Sequence, residues 1–261
     1  MNRPISIFIL DVSNSSSPAM GEKLTNYLDD LVYWINIWTK EVVYCKVKHR
    51  AGDEIIFVGY GYSTAYILAF FISRIWKFKD HPPYFGFSFG DIDKELEAVD
   101  IEKWIHPLIK QARYANDLLK QEQGRPLFKF ELDQFYENKT LSSYNLFRNE
   151  FEILINSLLR LQMTMLQEQT HIQEQVCTYY LILQQQKAAG ALLGKTAPTI
   201  SSHFKKGKSG EILNVFGELI TILNSLQEKS YVNDQGNVVS DSLKESIRNH
   251  LKENLNKVIS Q

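Results

Sequence analysis

Residues 48–57 read KHRAGDEIIF. Gly52-Asp53 between two apolar runs is a hairpin signal, because glycine accepts positive φ without a steric penalty and aspartate bonds its own backbone. The alternating, β-branched Val42–Lys48 and the run Glu54–Tyr60 are then its two strands, with Arg50-Ala51-Gly52-Asp53 as the turn. The turn also carries adjacent carboxylates, Asp53 and Glu54, and converging carboxylates are how proteins hold a hard divalent cation. This one stretch therefore fixes the fold around it and supplies the first candidate site.

Before the hairpin, Ile5–Leu10 predicts a buried strand that ends at Asp11, followed by a loop, Ser13-Asn14-Ser15-Ser16-Ser17-Pro18. Leu24, Tyr27, Leu28, Leu31, Ile35 and Trp38 then recur at helical spacing. After the hairpin, Tyr62–Lys77 predicts a helix and Tyr84–Phe89 a strand closed by Gly90-Asp91. Trp104–Gln123 predicts a helix stopped by Gly124-Arg125-Pro126, and Leu127–Leu132 a last strand. The order βαββαβαβ over residues 1–135 gives an α+β fold, a sandwich with an antiparallel hairpin at its centre, close to the ferredoxin-like plan.

The second half is all-α by pattern. Leu141 to Gln184 has a helical period, with Leu154, Leu158, Leu161 and Met165 along one stripe. Gly210–Lys229 and Ser242–Ser260 are further helices, and Tyr231–Val239, with its Asn-Asp-Gln-Gly-Asn, predicts a turn or short hairpin. The boundary falls near residues 135–142, giving a helical domain over 141–261.

Net charge is −1 and hydrophobic residues make up 44% of the 261, which excludes a uniformly basic nucleic-acid coat and fits a globular protein. Ile5–Leu10 is too short for a signal-peptide core or a membrane span, and Ala65–Ile72 is bounded by Arg74 and Lys77. Cys45 and Cys177 form no Cys-x-x-Cys and fit a reducing compartment. The expectation is a cytoplasmic protein with no membrane partner. The six histidines are scattered, with none at metal-ligand spacing, and no GxSxG, P-loop or GxGxxG before a helix is present.

If the first strand lies beside the hairpin, Asp11, Asp53 and Glu54 converge at one end of the sheet. Such a set suits Mg²⁺ or Mn²⁺, which clamp a triphosphate in phosphoryl transfer. The loop after Asp11 can offer backbone N–H groups to phosphates. Ile9-Leu10-Asp11-Val12 and Ala51-Gly52-Asp53-Glu54-Ile55 resemble the palm domain shared by GGDEF diguanylate cyclases and class III nucleotide cyclases. That resemblance implies metal ligation by Asp11 and Asp53, with the Val12 carbonyl beside them and Glu54 a neighbouring acid. Ala51 stands where diguanylate cyclases have Gly and Ile55 where they have Phe. Lys120 falls one residue from the place of a phosphate-binding lysine. These departures set the chain apart from a standard diguanylate cyclase. Asp11-Val12-Ser13-Asn14-Ser15 and Gly52-Asp53-Glu54 resemble the SatD family more closely, a bacterial group with a degenerate palm domain followed by a helix-turn-helix. The implied nucleotide site is Val12, Ser13, Asn14, Ser15 and Gly52.

Residues 187–207, KAAGALLGKTAPTISSHFKKG, resemble the bacterial helix-turn-helix of the LGxSxPxxSxxLKK type, placing that motif at about 185–207. Ala188, Ala189 and Gly190 let two helices approach, Leu192 and Leu193 supply core, and Gly194 suits the positive φ of the turn. Thr196 caps the second helix, Pro198 fits its first turn, and Ile200 and Phe204 point inward. From Gln175 to Gly210 there are five lysines and no Asp or Glu. Lys195, Thr199, Ser201, Ser202, His203, Lys205, Lys206 and Lys208 are the candidate contacts to double-stranded DNA. A homodimer on two half-sites is the matching assembly, with helices around 141–170 and 211–228 as candidate interfaces.

Three function classes follow. The first is a SatD-like bacterial transcription regulator that binds DNA and senses a nucleotide with a divalent metal. The second is a nucleotide cyclase or nucleotidyltransferase using Asp11 and Asp53. The third is an inactive scaffold for protein partners.

Overall fold

The computed structural model describes residues 3–13, 21–50, 52–122, 124, 126–132, 147–228 and 235–258. β1 (Arg3–Val12) is followed by α1 (Gly21–Thr39), the hairpin β2 (Cys45–Arg50) and β3 (Glu54–Tyr60), α2 (Thr64–Arg74) and β4 (Pro83–Ile92). A 3-10 turn, Leu96–Ala98, leads to α3 (Pro107–Gln121) and β5 (Phe128–Phe130). The second half comprises α4 (Arg148–Gln167), α5 (His171–Leu183), α6 (Gln186–Leu193), α7 (Ala197–Lys206), α8 (Ser209–Glu228), α9 (Gln235–Glu253) and α10 (Leu255–Val258).

The sheet order is β2-β3-β1-β4-β5. All pairings are antiparallel except β4 with β5, which α3 joins as a parallel crossover. β1-α1-β2-β3-α2-β4 is the ferredoxin-like βαββαβ unit. The centre of the sheet is β1, flanked by β3 and β4, so the hairpin occupies one side and not the centre. β4 also runs on through Gly90 and Asp91 to Ile92, because β1 is long enough to pair with it as far as Arg3. β2 begins at Cys45 instead of Val42, since Val42 and Val43 bond back to Thr39 and close α1.

Both faces of the sheet are covered, which explains why β1 reads as an unbroken apolar run. Ile5, Ile7 and Ile9 pack with Ile56, Val58, Leu108 and Ala112 under α3. The alternate residues Phe8, Leu10 and Val12 pack with Phe57, Phe85 and Phe87 under α1 and α2. A Cβ on Gly86 would stand 2.2 Å from the Ala112 carbonyl oxygen, so glycine is what lets α3 lie on β4. Pro107 and the cap His106, whose ring accepts from Leu108 N–H, start α3 at that point.

α2 is apolar around its whole circumference, and every residue from Thr64 to Ile72 is buried. A helix of that kind needs cover on all sides. The sheet covers one side, and the C-terminal helices cover the other. Phe70 stacks on Phe216 of α8 at 4.2 Å between ring centroids. Tyr66 Oη donates to Gln162 of α4 at 3.0 Å. Trp38 Nε1–H of α1 donates to His250 Nδ1 of α9 at 2.9 Å. The two halves share one hydrophobic core. The expected boundary at 135–142 lies outside the described residues.

Two helical expectations need correction. On α4 the buried side is Ile155, Asn156, Leu159 and Gln162, whereas Leu154 and Leu161 are about 60% exposed. Gln235 to Val239 belong to α9 instead of a turn. Asn224 Nδ2 donates to Asn237 Oδ1 and Ser240 Oγ, both at 3.0 Å, so tertiary partners stabilise α9 through a turn-forming sequence.

Candidate functional site

Two places carry the chemistry expected from the sequence. The first is the sheet end where β1 finishes and β3 begins. Leu10 pairs with Ile55, which brings Asp11 and Glu54 to one end, and Asp11 itself lies opposite Tyr84 of β4. Gly52 adopts φ +104° in the turn between β2 and β3. The Gly52 carbonyl accepts from the His49 ring at 3.2 Å, and that ring also meets Asp29 of α1 at 2.8 Å. The turn is thereby tied to the helix layer.

Asp11 and Glu54 reach the same end of the sheet, but each is paired with a cation of α3. Lys120 Nζ of α3 donates to Asp11 Oδ2 at 2.6 Å. Arg113 of α3 holds Glu54 bidentately, at 2.7 and 3.2 Å, and Arg50 reaches the same carboxylate at 3.4 Å. Burial raises the Asp11 carboxyl above the usual aspartate value; the Lys120 hydrogen bond opposes the rise, and the charges of Asp53 and Glu54 add to it. Among the described residues, no group of three or more His, Cys, Asp or Glu side chains is arranged to hold a metal ion. With Asp11 and Glu54 already neutralised by three basic side chains, the donor set fits a divalent ion less well than free carboxylates would.

Motif reading noted Lys120 beside the place of a phosphate-binding lysine, but not its pairing with Asp11 or that of Arg113 with Glu54. Arg113 and Lys120 are seven residues apart, two turns of α3, so they share the face that lies on β1 and β3. That spacing was the available signal. Asn116 lies between them, buried, and its Nδ2 donates to the Ile9 and Tyr84 carbonyls, each at 2.9 Å. α3 is therefore clamped to β1 and β4 where the basic face begins.

Of the expected phosphate loop, the N–H of Ser13 is already spent within the molecule. Ser13 is buried; its N–H donates to Pro82 O and its carbonyl accepts from His81 Nδ1, each at 3.1 Å. Val12 points its side chain into the core with α1 and α2. Asn14 and Ser15 lie outside the described residues.

The second place is the α5-α6-α7 trio, three helices in mutual contact. Thr170 and Gln173 form a capping box that starts α5. α6 ends at Gly194, in the left-handed region at φ +61°, whose N–H bonds back to Gly190 O. A Cβ on Gly190 would lie 3.1 Å from Lys195 O and 3.3 Å from Ile200 Cγ1, so α6 and α7 meet through its bare Cα. Pro198 sits in the first turn of α7, and Thr196 Oγ1 hydrogen-bonds Thr199 Oγ1 at 2.9 Å. Ile200 is fully buried, and Phe204 packs edge-on against Tyr180 at 4.8 Å.

That packing turns Ser201, Ser202, Lys205 and Lys206 to solvent. Thr199 and His203 are half-buried at the edge of the same face. Lys195 is exposed on the turn. Lys208 is exposed too, but it pairs with Glu168 at 2.7 Å, so its charge is partly spent within the molecule. Leu192 is 49% exposed and not core; Ala189 and Gly190 provide that contact. No protein-family model, curated protein or solved structure matches the chain.

Proposed function

We propose that the chain is a DNA-binding regulator whose contact surface is α7. The observation that carries this reading is the outward face of α7. Two short hydroxyl side chains and two lysines, Ser201, Ser202, Lys205 and Lys206, stand exposed on a helix whose other side is anchored by Ile200. Neither lysine makes an ion pair among the described residues. Lysines in this setting release counterions from phosphates, and hydroxyls on such a helix reach base edges or phosphates in the major groove. The arrangement accords with the SatD-like plan of a palm-type half followed by a helix-turn-helix.

The test is fluorescence anisotropy of a labelled duplex over a salt series. The expected log–log salt slope is negative, and each lysine that contacts a phosphate contributes about 0.9 to it. Lys205→Ala with Lys206→Ala should flatten the slope by nearly two. A salt-independent signal, or a double variant indistinguishable from the parent, would overturn the reading.

A helix-turn-helix commonly works on two half-sites as a dimer. Phe147 at the N-cap of α4, and Leu154 and Leu161 on the helix, are each more than half exposed and recur every seven residues. That spacing suits a seam for a second copy of the chain. Light scattering of Leu154→Glu with Leu161→Glu should then give half the parent mass, and an unchanged mass would remove the dimer.

A second reading is retained for the sheet end. Asp53 makes no ion pair among the described residues and stands close enough to Asp11 to raise its carboxyl. A nucleotide with Mg²⁺ or Mn²⁺ at that point would have to compete with Lys120 for Asp11. Thermal unfolding with each NTP and metal, against Asp11→Asn and Asp53→Asn, tests binding. Product formation abolished by Asp53→Asn would make the chain an enzyme.

A further inference from the structure

The C-terminal end of α2 meets the first turn of α5 around a cavity of about 320 Å³, on the opposite face of the sheet from Asp11. Its wall includes Arg74, Trp76, Lys77, Lys79, His171 and Glu174. The volume is in the range of small-molecule sites. Nothing in the palm or helix-turn-helix readings uses these residues.

The charge of the cavity is unbalanced. Arg74, Lys77 and Lys79 supply three basic side chains, and among the described residues Glu174 is the one carboxylate in the wall. Lys79 Nζ donates to Glu174 Oε2 at 2.6 Å, and the His171 ring stands 3.9 Å from the same oxygen. Burial alone would raise the Glu174 carboxyl, yet the Lys79 hydrogen bond and the charges of Arg74, Lys79 and His171 hold it below the usual glutamate value. The side chain that reports on this cavity therefore feels a net positive field. Arg74 donates one guanidinium nitrogen to the Glu174 carbonyl and Thr178 Oγ1, at 3.2 and 3.1 Å, while its buried Nε has no partner. A donor is left over after the internal bonds are made, and leaving a buried donor unbonded is costly. The first turn of α5 adds partial positive charge.

The other wall is apolar. Trp76 spends its indole N–H on the Phe78 and His81 carbonyls, at 3.0 and 2.9 Å, so its ring contributes only carbon surface. Ile75 and Val258 extend that surface. Lys77 Nζ lies over the Tyr27 and Trp34 rings at 5.4 and 5.9 Å, which holds one cation on an aromatic floor beside the cavity.

We infer that this cavity binds a small organic anion, a carboxylate or phosphate carried on a flat apolar body. The anionic group faces Arg74 and Lys79, and the body lies along Trp76. A metal cation is disfavoured by the surplus of positive charge, and a neutral ligand would leave that surplus unanswered. The inference does not rest on the DNA reading, and its test contains no DNA.

The experiment titrates the 261-residue chain with phenyl phosphate, benzylamine and benzyl alcohol, following the indole N–H resonance of Trp76 by NMR together with the melting temperature. Phenyl phosphate should shift the resonance saturably and raise the melting temperature; benzylamine and benzyl alcohol should do neither. Lys79 has a side chain 56% exposed, so Lys79→Glu should fold as the parent does and weaken phenyl phosphate at least tenfold. Lys77→Glu is the second variant, with the same expectation, should Lys79→Glu release Glu174 into a new contact. Equal responses to phenyl phosphate and benzylamine would overturn the inference. So would a phenyl phosphate affinity that neither charge reversal changes.

Discussion

Lys120 of α3 donates to the Asp11 carboxylate at 2.6 Å, joining residues 109 positions apart at the mouth of the sheet. The bond does not fully offset the burial of Asp11, whose carboxyl remains above its ordinary value. A carboxyl raised on folding contributes its stability below the unfolded pKa and loses it as pH rises through the folded one. The window opens at about pH 3.9, the ordinary aspartate value. Asp11→Asn should therefore gain on the parent as pH rises from 3.5 to 7, as read from urea midpoints at the two ends of roughly that range. A variant that loses ground over the same interval would show that Lys120 outweighs burial.

Gly86 faces the α3 backbone, where an added Cβ would sit 2.2 Å from Ala112 O and 2.3 Å from Asn116 N. Neither atom can move without moving the helix. Gly86→Ala should destabilise by about 3 kcal/mol, the upper end of typical overpacking costs, or more. The measurement is chemical denaturation with unchanged m-value.

Phe216 lies on Phe70 and also meets Tyr66 and Phe71 edge-on or tilted. Removing its ring should cost about 3–5 kcal/mol. All four tryptophans precede residue 105, whereas most helix lies beyond it. Tryptophan emission thus follows the first half and its contact with His250, while far-ultraviolet circular dichroism is weighted toward the second half. In both the parent and Phe216→Ala their unfolding curves should coincide, because one core serves both halves. Two separated transitions would show that the halves unfold independently.

The elements that were legible in the sequence are those where one physical demand dominates. β1 and β3 are short apolar runs because both their faces are buried, α1 repeats at helical spacing because one face is, and Gly52 and Gly194 mark turns that need positive φ. The antiparallel α+β plan followed from element order alone. Other features depended on packing that no local window contains. α4 has apolar residues on both sides, and the pattern cannot say that Ile155 and Leu159 are buried while Leu154 and Leu161 face out. α9 begins inside a turn-like sequence because Asn224 waits on the neighbouring helix. The carboxylates of the candidate site were evident one by one. Their neutralisation by Arg113 and Lys120 depends on a helix that lies some sixty residues beyond the hairpin and covers it only in three dimensions.

The all-round apolar character of α2 has a consequence for how the protein is made. α2 leaves the ribosome roughly 140 residues ahead of Phe216, an interval of about 7–30 s at typical synthesis rates. Until α8 and α9 emerge, the nascent chain carries a greasy helix that its own sheet can cover on one side only. A helper that shields apolar segments would find its main client surface on α2, and a ribosome stalled between the two halves would leave a product prone to stick to its neighbours.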